Sequence, residues 1–217
     1  MDYALINPKS RDRITAISGR EGYCPCCLSR VIPKCGDVVR WHWAHISGDC
    51  DLWHEPETDW HIGWKKLVPD CQREVVIDRG GIIHRADVVT ARGVVVEFQH
   101  SYICTEDIQA RESFYGNMVW LFDVSDCLRE RQWDWNNEYA SGTTWKTPLV
   151  FNEKPNHFTF KWTWPRRTIA CCTRPVYLDP GDGRIFSIKK LHDKSPMTGW
   201  GIFRSRSAFS DWIKSVL

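Results

Sequence analysis

The chain has 217 residues, 42% of them hydrophobic, which is enough to bury the core of one globular domain together with a small module. Its formal net charge is only +2 and its isoelectric point is near 8.0. The balance excludes a globally basic protein but leaves room for local basic patches. The thirteen tryptophans are expected first of all in core packing, with only a few free to stack on bases.

The sequence contains no apolar run of about 18 residues and no apolar signal-peptide segment near its start. We therefore expect a soluble, unexported, cytoplasmic protein with no membrane partner. In a reducing cytosol the ten cysteines are thiols or metal ligands rather than a disulfide framework. The alternative is a secreted disulfide-bonded protein, which would need a targeting sequence.

A cysteine pair and a histidine pair lie close together near the start of the chain. Cys24 and Cys27 form Cys-x-x-Cys, and His42 and His45 form His-x-x-His. Two thiolates and two imidazoles make a tetrahedral ligand set for a structural zinc ion, which would stabilise a segment with little core of its own. Three other residues could replace one ligand: Cys35, Cys50 and His54. Buried thiols and surface histidines without metal are the alternative interpretation.

The spacing of apolar residues predicts a helix over 56–68, which Pro69 ends. Glu57, His61 and Lys65 follow one another at intervals of four, so they share one face of this helix. A solvated polar stripe is one interpretation of that face. The other is a face that turns toward a second group of polar residues.

The following segment predicts three strands at 74–78, 82–90 and 94–99. If residues 91–93 form a three-residue turn with Gly93 in the left-handed conformation, Thr90 pairs with Val94 and Asp87 lies opposite Glu97. The Cβ atoms of such a pair are about 5 Å apart. A two-residue turn would instead place the two acids on opposite faces.

Asp87 and Glu97 are acids within hydrophobic strands, where an isolated carboxylate is costly to bury. Such acids are held by a partner, a hydrogen-bond network or a metal. Our hypothesis is that this pair holds a divalent cation for phosphodiester cleavage. Mg²⁺ or Mn²⁺ suits these hard oxygen ligands.

The rest of the chain predicts a helix from an N-cap at Thr105 to about Tyr115, followed by a buried strand at 118–124. This order of elements indicates an α/β fold with a mixed central sheet flanked by helices. Beyond residue 125 we expect a β-rich extension packed on the core, with a terminal helix at 207–216. The domain prediction is a zinc-finger-like module at 1–54, a core at 55–124 and the extension at 125–217.

Six stretches in this order resemble the competence protein CoiA-like family, and the resemblance covers about residues 20–124. They are Cys24-Pro-Cys-Cys27, His42-Trp-Ala-His45, 57–65, Arg85-Ala-Asp-Val88, Glu97-Phe-Gln99-His-Ser101 and 111–115. That family joins an N-terminal zinc-finger-like segment to a nuclease domain of the PD-(D/E)xK superfamily. The resemblance therefore implies a restriction-endonuclease-like core.

Transferred to this sequence, the resemblance makes Asp87 and Glu97 metal ligands and Glu57 the helix acid. Gln99 stands where the superfamily has a lysine, and glutamine can only form hydrogen bonds. Lys65, or Arg85, could restore the positive charge. Some nucleases of the superfamily are active with glutamine at this position.

The expected activity is that of a Mg²⁺- or Mn²⁺-dependent deoxyribonuclease, an endonuclease, in competence, recombination, DNA processing or phage defence. The Phe98 carbonyl would complete the metal site with Asp87 and Glu97, Glu57 could bind a second ion, and His61 could relay a proton. Four basic residues are expected to contact nucleic acid: Arg85, Arg111, Arg166 and Arg167.

Three points stay open at this stage. A companion protein could deliver the substrate. The first alternative function is a catalytically inactive, nuclease-like module that only binds nucleic acid. The second is a zinc-stabilised interaction protein without a nucleic-acid role.

Overall fold

The computed structural model describes residues 1–38, 40–48, 50–51, 53, 57–128 and 149–214. Within these ranges the chain forms two sheets and three α-helices. The helices are α1 (Asp59–Lys65), α2 (Thr105–Tyr115) and α3 (Arg206–Lys214). No helix of the described part is long and apolar enough to cross a membrane.

The N-terminal module is a small sheet of five short strands in the order β2-β1-β3-β4-β5. These strands are β1 (Tyr3–Leu5), β2 (Arg13–Thr15), β3 (Gly22–Tyr23), β4 (Arg30–Lys34) and β5 (His42–His45). Trp43 fills its interior at 1% exposure, and its indole nitrogen donates to the Ile14 carbonyl over 3.0 Å. Because the cysteine and histidine pairs border these strands, the sheet fixes where their side chains can meet.

The second sheet has nine strands among the described residues, in the order β10-β11-β14-β13-β12-β9-β8-β7-β6. These strands are β6 (Arg73–Arg79), β7 (Ile82–Val89), β8 (Val95–Gln99), β9 (Met118–Asp123), β10 (Leu149–Lys154), β11 (His157–Trp162), β12 (Val176–Asp179), β13 (Arg184–His192) and β14 (Met197–Ser205). The pairs β8–β9 and β9–β12 are parallel, and the other pairs are antiparallel. The predicted α/β class with a mixed sheet is therefore confirmed.

Helices cover both faces of this sheet. On β8, Val95 packs with Ile108 of α2, whereas the next residue, Val96, packs with Trp64 of α1 and Phe209 of α3. This alternation follows from the period of two along a strand. The central strands thus lie between α2 on one face and α1 with α3 on the other.

The C-terminal part continues the central sheet. β12 pairs in parallel with β9, and β13, β14, β11 and β10 follow outward from it. The strands of the predicted C-terminal extension thus belong to the same sheet as those of the predicted core. Residues 129–148 of the predicted extension lie outside the described residues.

Two helix starts differ from the sequence-based expectation. α1 begins at Asp59 with Thr58 as its N-cap, a shorter helix than the predicted 56–68. α2 has Cys104 rather than Thr105 as N-cap, because Cys104 is the extended residue and its sulfur accepts the Asp107 amide at 3.4 Å. Thr105 is the first helical residue.

The turn between β7 and β8 has the predicted form. The Thr90 amide donates to the Val94 carbonyl over 2.9 Å, and the Gly93 amide donates to the Thr90 carbonyl over 2.8 Å. Gly93 has a φ of +72°, a left-handed conformation that glycine adopts without a Cβ penalty. The register Val88 opposite Val96 then carries Asp87 and Glu97 to facing positions.

Candidate functional site

A Cys/His cluster lies at one edge of the N-terminal module. The ligand atoms of Cys24, Cys27, His45 and Cys50 all lie within 4.8 Å of one another. The Cys24 and Cys50 sulfurs are 3.6 Å apart, and the Cys27 sulfur is 3.4 Å from His45 Nε2. Tetrahedral zinc ligands on bonds of about 2.3 Å lie about 3.8 Å from each other. The four side chains therefore fit a zinc ion, which they could bind.

Local backbone geometry brings Cys24 and Cys27 of the Cys/His cluster together. The Leu28 amide donates to the Cys24 carbonyl over 2.9 Å, and the Cys24 amide donates to the Ser29 carbonyl over 2.8 Å. This tight turn places Cys24 and Cys27 on one side. Hydrogen bonding with Cys26 lowers the pKa of Cys24 to about 4 although burial opposes it, which favours the thiolate that zinc requires.

The predicted ligand set was wrong at His42, which Cys50 replaces. His42 and His45 are three residues apart on β5, so their side chains point to opposite faces of the strand. His42 Nδ1 lies 2.8 Å from the Arg40 carbonyl. Cys50 was among the alternative ligands, whereas Cys35 does not join the cluster, and His54 lies outside the described residues.

The second candidate site is the pocket around Asp87 and Glu97, which we call the acidic pocket. It begins where the ladder between β7 and β8 ends, beyond the pair Val88 and Val96. There the acid side chains bind backbone amides of the facing strand. The Phe98 amide donates to Asp87 Oδ2 over 3.0 Å, and the Asp87 amide donates to Glu97 Oε1 over 3.3 Å. The strands therefore separate, and the two carboxylates occupy the gap between them.

Lys65 is the cation that contacts Asp87. Its Nζ lies 3.0 Å from Asp87 Oδ1, 2.5 Å from Glu57 Oε1 and 3.6 Å from Glu74 Oε1. Burial would lower the pKa of Lys65, but the charges of Asp87, Glu74 and Glu57 outweigh it and raise the pKa, so the ammonium stays charged. Burial also raises the pKa of Glu57, which Lys65 partly offsets.

His61 ties α1 to β8. Its Nδ1 accepts from the Thr58 amide at 3.3 Å, and because that amide can only donate, Nε2 is the protonated nitrogen when the ring is neutral. Nε2 donates to the Phe98 carbonyl over 3.1 Å. The reciprocal bonds between Thr58 and His61 also form the capping box that starts α1. The Phe98 carbonyl therefore already accepts one hydrogen bond, from α1.

Arg111 is the cation that contacts Glu97. It was predicted to contact nucleic acid, but its side chain is buried and is not available at the surface. It is 6% exposed, and its Nη1 donates to Glu97 Oε2 over 2.9 Å. Its Nη2 donates to the Trp53 carbonyl over 3.0 Å. Arg111 therefore holds one of the two acids from α2.

The two acids differ in protonation. Burial, followed by the charge of Asp87, raises the pKa of Glu97 to about 7, and Arg111 offsets only part of this shift. Burial would also raise the pKa of Asp87, but Lys65 and His61 outweigh it, and the net shift is downward. Asp87 is therefore the ionised member of the pair, while Glu97 is close to its titration midpoint at neutral pH.

These groups line one cavity of about 40 Å³, enough space for an ion with a few water molecules. The lining includes most of the predicted site residues: Glu57, His61, Lys65, Arg85, Asp87, Glu97, Phe98 and Arg111. Asp51 and Trp53 complete it and were not predicted. The only sequence signal for them was that they follow Cys50.

Gln99 does not line the cavity, contrary to the prediction that it occupies the lysine position. It is fully buried, and its Nε2 donates to the Ser101 carbonyl and hydroxyl over 3.3 and 3.4 Å. The positive charge beside Asp87 comes instead from α1, as Lys65.

Glu74 is a further acid that the sequence did not single out. It has a φ of +46° within β6, and both carboxylate oxygens accept the Asp2 amide, at 3.2 and 3.0 Å. Burial opposes its ionisation, but Lys65 and Arg85 lower its pKa. Glu74 therefore connects the N-terminal module to Lys65.

The other two predicted nucleic-acid contacts lie away from the cavity lining. Arg166 Nη1 donates to the His100 carbonyl over 2.6 Å, and Arg166 Nη2 lies 3.5 Å from Asp126. Arg167 is exposed and lies 2.9 Å from Asp193. Both arginines therefore already have partners, although Arg167 remains accessible.

A family model described as "Competence protein CoiA, N-terminal domain" matches residues 6–52. The matched residues make up less than a quarter of the chain, so the similarity to this family is a similarity of the N-terminal module. The matched segment includes the Cys/His cluster and ends one residue after Asp51. No curated protein and no solved structure matches the chain.

The ligand set of the Cys/His cluster can be tested by metal analysis of two single variants. We expect Cys50→Ala to lose most of the bound zinc, because it removes one of four ligands, while His42→Ala keeps about one zinc per chain. Protein purified without chelators would be compared with both variants. Zinc retention in Cys50→Ala together with loss in His42→Ala would refute this ligand set.

Proposed function

We propose that the chain is a Mg²⁺- or Mn²⁺-dependent nuclease of the PD-(D/E)xK type that hydrolyses phosphodiester bonds of DNA, in a competence-related role. The observation that supports this most strongly is the pair Asp87 and Glu97 on separating strands, with Lys65 at 3.0 Å from Asp87. Paired acids on a central sheet with a lysine beside them, here on α1, are a combination that suits metal-dependent hydrolysis of a phosphodiester.

The charges around the cavity favour a divalent cation. Four carboxylates and three permanent cations line the cavity, which leaves an excess of one negative charge when all are ionised. The acids are Asp51, Glu57, Asp87 and Glu97, and the cations are Lys65, Arg85 and Arg111. Burial, followed by the charge of Asp87, raises the pKa of Glu97. A divalent ion would offset the excess negative charge.

Asp87, Glu97 and the Phe98 carbonyl would hold the metal. All three donors are oxygens, which suits Mg²⁺ or Mn²⁺ better than zinc. When bound, the ion would polarise the phosphate and lower the pKa of a bound water. The cavity of about 40 Å³ admits the ion and its waters, while the scissile phosphate would approach its mouth.

Lys65 takes the role that the superfamily assigns to a lysine on the strand. Because three acids keep it protonated, it cannot serve as a general base. It can donate hydrogen bonds to the attacking water and stabilise the charge that develops on the phosphate. Glu57 and Glu74 hold Lys65 in place, so Glu57 acts as a positioning acid in this proposal.

One observation favours the second candidate function, a module that binds nucleic acid without cleaving it. Each acid already has a cationic partner, Lys65 for Asp87 and Arg111 for Glu97. If these ion pairs persist on substrate binding, each acid has fewer oxygen lone pairs left with which to bind a metal. Cleavage assays separate the two functions.

The nuclease proposal predicts metal-dependent cleavage of plasmid or single-stranded DNA that Glu97→Gln reduces at least a hundredfold, because a metal ligand becomes neutral. Glu153→Gln, at an exposed acid of β10, is the matched control and should cleave like the parent protein. Equal trace cleavage by the parent and Glu97→Gln would reject the enzyme and leave the binding module.

The role of Lys65 predicts a second effect. Lys65→Met should reduce cleavage about a hundredfold, since the charge beside the phosphate is lost. Lys66→Met, at the exposed neighbour, should leave cleavage unchanged. Lys65→Arg keeps a positive charge and should cleave faster than Lys65→Met. It also provides a test of the charge in case Lys65→Met folds poorly. Wild-type rates in a folded Lys65→Met protein would exclude this role.

The pKa of Glu97 near 7 predicts the pH dependence. Below that pH the Glu97 carboxyl is protonated, and the proton competes with the metal for the carboxylate. Cleavage at limiting Mg²⁺ should therefore rise as the pH increases through about 7. Higher Mg²⁺ should move the midpoint to lower pH, because the metal displaces the proton. Cleavage that falls over this interval, or a midpoint that ignores Mg²⁺, would contradict it.

A further inference from the structure

A short segment, whose described residues are Cys50, Asp51 and Trp53, contributes to both candidate sites. Cys50 is a member of the Cys/His cluster, and Asp51 and Trp53 line the acidic pocket. Occupation of the first site can therefore affect the second through these residues.

Asp51 fixes this segment to β7. Its Oδ2 accepts the Arg85 amide at 2.9 Å, and its Oδ1 accepts His84 Nδ1 at 2.9 Å and the Trp53 amide at 3.1 Å. Asp51 is 5% exposed, so each of these bonds is shielded from water. A buried carboxylate with three donors is held in one position.

Trp53 continues the connection to Glu97. Its ring stacks on His84, with centroids 3.4 Å apart and an interplanar angle of 11°. Its carbonyl accepts Arg111 Nη2 at 3.0 Å, and Arg111 Nη1 donates to Glu97 Oε2 over 2.9 Å. Arg111 thus has one anchor on residues 50–53 and one on the acid pair.

We propose that Asp51 and Trp53 are positioning residues through which a zinc-loaded Cys/His cluster holds Glu97 in place. Loss of zinc frees Cys50, the segment loosens, Arg111 loses its anchor on the Trp53 carbonyl, and Glu97 leaves its position opposite Asp87. The claim about Glu97 geometry is independent of activity. Only its consequence for a metal in the pocket rests on the proposed nuclease function.

The Asp87 amide reports this geometry directly, because it donates to Glu97 Oε1. Its hydrogen-exchange rate therefore follows the position of the Glu97 carboxylate without any metal or substrate. The amides of the β13–β14 ladder lie elsewhere in the same sheet and report global opening. A role confined to overall stability would change both sets alike.

The experiment compares Asp51→Ala with Asp182→Ala in the full chain. Asp182 is a matched control, because it also accepts a backbone amide and pairs with an arginine, but in the turn before β13. We expect Asp51→Ala to speed exchange of the Asp87 and Arg85 amides at least tenfold, with the β13–β14 amides unchanged. Mn²⁺ affinity of the pocket should fall by about 10- to 100-fold, the usual effect of removing a residue that supports a metal ligand.

A second comparison tests the contribution of zinc. Cys50→Ala, or removal of zinc by a chelator, should speed Asp87 exchange as Asp51→Ala does. Cys50→His keeps a zinc ligand and should retain both zinc and slow exchange. Unchanged Asp87 exchange in Asp51→Ala and Cys50→Ala, or an equal rise in the β13–β14 amides, would overturn the proposal.

The two proposals fail in different ways. If the parent protein binds no Mn²⁺ in the pocket, the nuclease proposal fails, while the exchange rates still decide the positioning claim. If Mn²⁺ binds the parent and both variants equally and Asp87 exchange does not change, the positioning claim fails alone.

Discussion

Two carboxylates lie side by side in the interior of the central sheet, and each is held by a cation from a different helix. Lys65 on α1 approaches Asp87, and Arg111 on α2 approaches Glu97. Because α1 and α2 cover opposite faces of the sheet, the acid pair is held from both sides. Removal of either cation would leave a buried charge without a partner, which destabilises a protein by about 3–5 kcal/mol. The same pairs are what a bound metal would have to rearrange.

The N-terminal module, predicted at 1–54, contacts residues of both ion pairs. The Asp2 amide binds Glu74, which neighbours Lys65, and the Trp53 carbonyl binds Arg111. The module therefore completes the wall of the pocket as well as forming the Cys/His cluster. The module therefore has a structural role in the pocket, apart from any contact with nucleic acid.

Local features of the site could be predicted from the sequence, and long-range ones could not. The turn with Gly93 and the period of two along β7 and β8 were sufficient to place Asp87 opposite Glu97. The period of α1 placed His61 and Lys65 on one face, whereas Glu57 precedes the N-cap Thr58 and is not part of the helix. The choice of Cys50 over His42 depended on β5 being a strand, which four residues of His-Trp-Ala-His do not reveal. The position of Glu74 depends on its own left-handed backbone conformation inside β6, and the position of Gln99 depends on its hydrogen bond to Ser101. None of these follows from spacing along the chain.

In the proposed nuclease the separated ends of β7 and β8 form a metal site. This site can be tested by a crystal structure of the protein soaked with Mn²⁺, with data collected at the manganese absorption edge. We expect an anomalous peak bounded by Asp87, Glu97 and the Phe98 carbonyl, with Lys65 retained on its far side. A peak only at the Cys/His cluster, with the ion pairs of Asp87 and Glu97 unchanged, would contradict it.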